Sequence, residues 1–266
     1  MRLRELENAA ALAWPPPVCA QSCGFELRLS TERSNRGNSA RLLGKERADL
    51  ADIVRCGRRF YAEAGKALQF SVTDQMPFTD HVLERCGFEL VDPCHFMVRA
   101  AAGIDPPGLD PGLALTTSDR LDDGWLAAWA LCAELPEPDR EGSFAIVRSV
   151  TEPSVYVSVT NSSHGSVAIG RAVDSGSWRG LHNLATHPEF RSAGIGSAVV
   201  RALETAHDGA AKRLYLQVEA DSPAGGLYER LGYRIAGGYH YRRERARGAS
   251  RPHEGGTRRN TSWIFR

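Results

Sequence analysis

The stretch "HPEFRSAGIGSAVVRALE", residues 187–204, sets one arginine and two glycines directly ahead of an apolar helical run and just behind the strand-like "GLHNLAT". A chain with that order must turn from strand to helix through residues that leave the main chain bare. Glycines without side chains let backbone N–H groups approach an anion, and a helix N-terminus adds partial positive charge. Arg191, Gly194 and Gly196 therefore suit a pyrophosphate. The spacing is not the dinucleotide fingerprint, which needs a third glycine and an acidic residue about 20 positions on, and no Gly-Lys-Ser/Thr follows to make a P-loop. Taken alone, a Gly-x-Gly turn of this kind is more often structural than ligand-binding.

The neighbouring segments give the turn a setting. "DDGWLAAWALCAEL" (Asp122 to Leu135) carries Trp125, Leu126, Trp129, Leu131 and Cys132 at helical spacing behind an Asp N-cap. "SVYVSVT" (154–160) and "SVAIGRAV" (166–173) are β-branched runs joined by "NSSHG", which predicts a hairpin. A strand at "GLHNLAT", a helix from about Ile195 to Ala206, a strand at "RLYLQVEA", a helix at "AGGLYERL" and a strand at "YRIAGGYHYR" follow. After an antiparallel start, strands and helices thus alternate, a mixed α/β (α+β) pattern. The earlier part shows "GFELRLS", a helix from about Lys45 to Ala64, the strand "LQFSVT" and a helix near Phe78 to Arg85.

A chain of 266 residues is long enough for two domains, each with its own core. "AAGIDPPGLDPG" (101–112), with three prolines and three glycines and no hydrophobic period, marks the boundary. The expected domains are 1–104 and 113–247, followed by a disordered basic tail at 248–266 whose Trp263 to Phe265 could dock elsewhere. An internal echo links them: "VLERCGFEL" (Val82 to Leu90) and "LYERLGYRI" (Leu227 to Ile235) both read helix, Gly stop, aromatic, strand. A duplicated fold is the expectation.

Composition narrows the partners. At 42% hydrophobic and 24% charged residues the chain is an ordinary folded protein, and a net charge of +1 makes no case for nucleic acid. The arginines near the end (Arg242, Arg243, Arg245, Arg247, Arg251, Arg258, Arg259) are interrupted by Glu244 and Glu254 and lack an aromatic platform, so they read as a solvated tail. No stretch approaches the roughly 20 apolar residues of a membrane span, and Pro15 to Pro17 interrupt the N-terminal apolar run before it could form a signal-peptide core. A cytoplasmic protein without membrane partner is expected. The six cysteines lie scattered without a His grouping, which argues for buried reduced thiols and no metal.

Beyond the turn itself, "DSPAGGLYERLGY" lies where a second motif is needed, and the pair resembles the GNAT superfamily of N-acetyltransferases. The (Q/R)xxGx(G/A) signature is matched by Arg191, Gly194 and Gly196. Its downstream Asn, Ala, Leu-Tyr and Gly-aromatic positions are held by Asp221, Ala224, Leu227, Tyr228, Gly232 and Tyr233. The whole chain also resembles a tandem arrangement with a degenerate first copy. The resemblance implies a twisted mixed sheet flanked by helices, with "LHNLAT" and "LYLQVEA" splayed at an acetyl-CoA cleft. It implies that Leu184, Ala185 and Thr186 pair with the pantetheine and that Arg191, Ser192, Ala193, Gly194, Ile195, Gly196 and Ser197 wrap the pyrophosphate. Asp221, where the family usually has Asn, brings a negative charge near the cofactor and weakens electrostatic complementarity.

The reaction so implied is attack of a primary amine on the thioester through a tetrahedral oxyanion. Read from the residues alone, Tyr228 is a core aromatic; with the motif it becomes the general acid for the leaving thiolate. Glu219 is the first candidate base and His182 the second, with a structural role for His182 equally open. The first part has Leu83 where the second has Tyr228, so it is not expected to catalyse. The expected function is acetyl-CoA-dependent N-acetyl transfer to a small-molecule amine such as an amino acid, by a monomer or homodimer. Alternatives are a non-catalytic acyl-CoA sensor or a protein lysine or N-terminal acetyltransferase.

Overall fold

The computed structural model describes residues 3–46, 50–100, 108–206 and 213–245. The expected tail at 248–266, and residues 101–107 of the expected linker, lie outside these. In chain order the elements open with α1 (Leu3–Leu12), β1 (Val18–Ser22), β2 (Phe25–Leu29), β3 (Ala40–Leu42), α2 (Ala51–Glu63) and β4 (Gln69–Thr73). Next come α3 (Pro77–Arg85), β5 (Phe88–Ala100), β6 (Leu113–Ser118), α4 (Asp123–Cys132), α5 (Glu137–Arg148) and β7 (Ser154–Asn161). The chain continues through β8 (Gly165–Ser175), β9 (Trp178–Thr186), a 3-10 turn (Pro188–Phe190), α6 (Ile195–Thr205), β10 (Arg213–Glu219), α7 (Ala224–Arg230) and β11 (Arg234–Glu244). Among the described residues no helix is long and apolar enough to cross a membrane.

Two compact units emerge. One comprises Pro16–Cys94 together with Gly237–Arg245, and its strands run β1-β2-β3-β4-β11-β5. β1, β2 and β3 are antiparallel neighbours, β3 and β4 are parallel, and β11 returns antiparallel to β4 with Tyr239 opposite Thr73. Phe25, Phe70 and Phe88 meet edge to face in its core, backed by Ile53, Tyr61 and Leu83. The helix expected from about Lys45 starts only at Ala51. Glu46 is used elsewhere: its carboxylate accepts the Thr79 N–H at 2.7 Å in the first turn of α3, which has no cap side chain of its own.

The second unit comprises Met1–Pro15 and His95–Ala236, with strand order β5-β10-β9-β8-β7-β6. β6 to β9 form an antiparallel run, and β10 is parallel to β9. α6 packs on one sheet face against Leu181, Leu214, Leu216 and Val218. α4 and Trp14 cover the other, against Tyr156, Ile169 and Ala185. α4 starts where expected, the Asp122 carboxylate accepting the Trp125 N–H at 2.7 Å.

Both units share an element order: an antiparallel run, a helix crossing to a parallel strand, a helix, and a closing strand. The echo seen in sequence marks the join of that last helix and strand, with Gly87 (φ 86) and Gly232 (φ 92) both in the left-handed region that favours glycine. The closing strands are exchanged, however. β11 lies beside β4 and β5 beside β10. The boundaries expected at 1–104 and 113–247 therefore differ from the observed units, because α1 packs on β9 and β11 completes the sheet of Pro16–Cys94. Arg242 and Arg243, read as tail arginines, are part of that sheet: Arg242 donates to Asp80 at 2.6 Å and Arg243 lies 3.6 Å from Asp92.

The cysteines need a correction too. None of the six is in a disulfide, but only Cys94 and Cys132 are buried, while Cys19 on β1, Cys56 on α2 and Cys86 just after α3 are exposed. Among the described residues no His, Cys, Asp and Glu grouping is placed to hold a metal.

Asp80 ties α3 to β11 by bonding Arg242 at 2.6 and 2.9 Å and lying 2.7 Å from His240 Nε2. Burial alone would raise its carboxyl, but Arg242 and His240 outweigh this and hold it below the ordinary 3.8. A depressed folded pKa means the contribution is complete above the unfolded value and is lost as pH falls through the folded one. Asp80→Asn should lower stability at pH 7 by about 2 kcal/mol in denaturant titration. The gap between native protein and variant should close as the pH is taken below about 4.

Candidate functional site

β9 and β10 run as a parallel ladder from Arg213↔Trp178 only as far as Leu216↔Leu181. Beyond that point β9 continues to Thr186 and β10 to Glu219 without facing partners in the ladder. The reason is local. Opposite β8 the register of β9 shifts between Ile169 and Arg171, and Asn183 adopts a left-handed φ of 52, a bulge that bends the strand. Gly170 sits at this bulge because α6 presses on it: a Cβ there would come 2.6 Å from Val199 Cγ1 and 2.8 Å from Leu184 and Leu203.

The chain leaving Thr186 turns through the 3-10 helix and enters α6. Ser192 (φ 65) and Gly194 (φ 77) are both left-handed, and Gly194 caps α6 with no side-chain bond. The first helical bond is that of Ala198 N–H to Gly194 O at 3.2 Å, so the N–H groups of Ile195, Gly196 and Ser197 precede the helical ladder. A Cβ on Gly196 would stand 3.7 Å from both Leu227 and Thr186, reaching toward the opening. Arg191 donates through Nε to Thr186 O at 3.2 Å and lies 3.4 Å from the Glu134 carboxylate, which leaves other guanidinium donors facing solvent.

These elements enclose a cavity of about 420 Å³, within the range of small-molecule sites. Of the residues expected from sequence, Leu184, Ala185, Thr186, Arg191, Ser192, Gly194, Gly196, Ser197 and Tyr228 line it. Ala193 is exposed beside it, Ile195 turns its side chain into the core, and Asp221 is exposed beyond β10. Ile169, Phe190 and Arg230 also line it and were not foreseen, and Leu227, named only as a motif position, lines it too. Leu227 and Arg230 are one residue before and two after Tyr228 on α7, a proximity that could have singled them out.

Tyr228 is 3% exposed, packed edge to face on Tyr233 at 6.2 Å, and burial pushes its phenol above the ordinary tyrosine value. His182 and Glu219 stand apart from it. Leu181, Leu214, Leu216 and Val218 belong to the α6 core, so strand alternation sends His182, Tyr215, Gln217 and Glu219 to the opposite face. There His182 is 2% exposed with Nε2 3.4 Å from the Tyr215 hydroxyl. The cavity reaches that face as well, since Ile169 and Ala185 line it and belong to the α4 core. The donor set of the α6 turn, the bare Gly196 and Arg191 together fit the diphosphate of an acyl-coenzyme.

A family model described as "Probable histone acetyltransferase Rv0428c C-terminal" matches residues 1–243. No curated protein matches the chain. Among solved structures it is similar to a GCN5-related N-acetyltransferase from Kribbella flavida at 16% identity, over 91% of this chain and 95% of that one, with a TM-score of 0.68. A functionally unknown conserved protein from Staphylococcus epidermidis gives 11% identity, 92% and 97% coverage and a TM-score of 0.67. A tandem GNAT protein from the clavulanic acid biosynthesis pathway gives 12%, 89% and 86%, and 0.63. At such identities the likeness is one of fold, and it is the mixed, helix-flanked fold expected from sequence.

Gly170→Ala should force α6 off the bulge and destabilise the protein by roughly 1–3 kcal/mol, the range for overpacking. Thermal or chemical denaturation checks this, and an unchanged midpoint would mean that α6 yields freely there.

Proposed function

We propose, from the premise that this chain belongs to the family described as "Probable histone acetyltransferase Rv0428c C-terminal" and is a GNAT-type acetyltransferase, that it moves an acetyl group from acetyl-CoA to the primary amine of a small molecule such as an amino acid. The observation that carries this reading is the convergence of three features on one cavity: the parting of β9 from β10, the α6 turn with Arg191, and the Tyr228 hydroxyl-bearing ring. Acetyl-CoA, when bound, supplies an activated thioester. The N–H groups of Ile195, Gly196 and Ser197 and the Arg191 guanidinium hold its diphosphate, and the open edge of β9 at Leu184, Ala185 and Thr186 takes its pantetheine arm. Asp221 lies too far along the β10–α7 turn to line the cavity, and its place in cofactor binding rests on the motif alone.

Tyr228 serves the departing sulfur. Its raised pKa keeps the phenol protonated across the working range, so a donor is always present. Each unit by which it exceeds the thiol adds about 1.4 kcal/mol to a completed proton transfer, which favours a hydrogen bond that tightens as charge builds on sulfur. Glu219 and His182 sit on the sheet face opposite α6, and an amine entering from that side meets them before the thioester; Glu219 is the proposed base. The first copy, with the fully buried Leu83 at the position of Tyr228, is proposed to be non-catalytic.

A second reading, acetylation of a protein lysine, is favoured by the description of the matching family as a probable histone acetyltransferase. Both are tested by following thiol release from acetyl-CoA against amino acids, polyamines, aminoglycosides and lysine peptides. Absence of calorimetric heat with desulfo-CoA would overturn the proposal. Arg191→Met should weaken acetyl-CoA binding about tenfold or more by calorimetry, the loss of a charge-assisted contact. Tyr228→Phe should lower kcat by about 10²-fold or more with little change in coenzyme Kd, in line with general-acid contributions. Native protein should show no alkaline loss of rate assignable to Tyr228 below pH 10, since its phenol titrates above that.

A further inference from the structure

A buried polar cluster of the unit that holds the cavity lies behind Tyr228 and outside the cavity. Glu204, in the last turn of α6, has a fully buried side chain. Its carboxylate accepts the Tyr233 hydroxyl at 2.8 Å, Arg99 of β5 at 3.1 and 3.2 Å, and Arg201 at 2.9 Å. Tyr233, itself fully buried, is the ring on which Tyr228 packs edge to face, and its N–H bonds the Tyr228 carbonyl at 2.9 Å. The turn between them is closed from the other side: at Gly232 (φ 92) a Cβ would stand 3.3 Å from Arg99 Nε.

Resting on the acetyl-transfer reading above, we infer that Glu204 is a positioning residue for Tyr228, acting through the Tyr233 hydroxyl. Two physical points carry it. Buried ion clusters are poor sources of stability and are often replaceable by apolar side chains without loss, so packing alone calls for Phe rather than Tyr and for no carboxylate. Moreover, α6 bears the coenzyme turn at one end and Glu204 at the other, eight residues and about 12 Å apart along one rigid helix. The helix that holds the diphosphate thus also fixes the ring against which the acid rests. Burial raises the Glu204 carboxyl above its ordinary value, and Tyr233 and Arg99 oppose that shift in part.

The test is a double-mutant cycle of Tyr233→Phe with Tyr228→Phe in the full chain, reading kcat for thiol release, acetyl-CoA Kd and thermal midpoint. Tyr233→Phe keeps the ring, so folding is preserved. It should lower kcat about tenfold with Kd within twofold, and it should cost nothing further in the Tyr228→Phe background. Glu204→Gln should behave alike. Unchanged kcat in Tyr233→Phe, or losses that add in the double variant, would overturn the inference, because a merely structural role has no reason to vanish with Tyr228. Full activity in Tyr228→Phe alone would instead remove the tyrosine from the mechanism, and this positioning role with it.

Discussion

The site depends on a ladder that stops. After Leu216↔Leu181 the two central parallel strands of the unit that holds the cavity no longer pair, and backbone groups that a continuous sheet would satisfy are left facing a gap. Nothing about the residue types near that point forbids pairing. The break lies beside the β8–β9 bulge, where Asn183 is left-handed and α6 is seated on Gly170. A strand edge opened in this way accepts an extended, hydrogen-bonding ligand arm, much as a sheet edge accepts an added strand. The α6 turn then lies at the end of that edge.

Around this break the unit is assembled from distant parts of the chain. Its sheet is flanked by β5, which begins in the other unit, and its far face is covered by the N-terminal segment. Arg171, fully buried and paired in register with His182, donates to Ala13 O at 2.8 Å. Trp14 stands edge to face on Trp129 at 6.2 Å. Ala13 and Trp14 therefore shape the face on which the proposed base lies, although they precede the whole of the first unit.

Much of this was legible in sequence. β7 and β8 announce themselves by β-branched runs, α4 by its Asp122 cap, and the α6 turn by its glycines, of which Gly194 is left-handed in the structure. What was missed has physical causes. Strand alternation specifies faces and not neighbours, so the exchange of β5 and β11 left no local trace, and α1, β1, β3, β6 and α5 are too short or too weakly patterned to stand out. The start of α2 was misplaced because Glu46, a good helix former, is committed to capping α3. In the site, Arg191, Gly194, Gly196 and Tyr228 were found through a motif. Phe190 and Ile169 line the same cavity through tertiary placement that no spacing encodes.

The exchange of closing strands bears on how the molecule comes into being. β4 and β11 lie side by side although more than 160 positions separate them, as Thr73 and Tyr239 show. On a ribosome, residues 16–94 leave the exit tunnel with a sheet lacking an inner member, and they must wait for the last strand before their hydrogen bonds close. Maturation of the earlier half is thus governed by synthesis of the later one, a long-range dependence that favours slow acquisition of structure and gives chaperones time to engage.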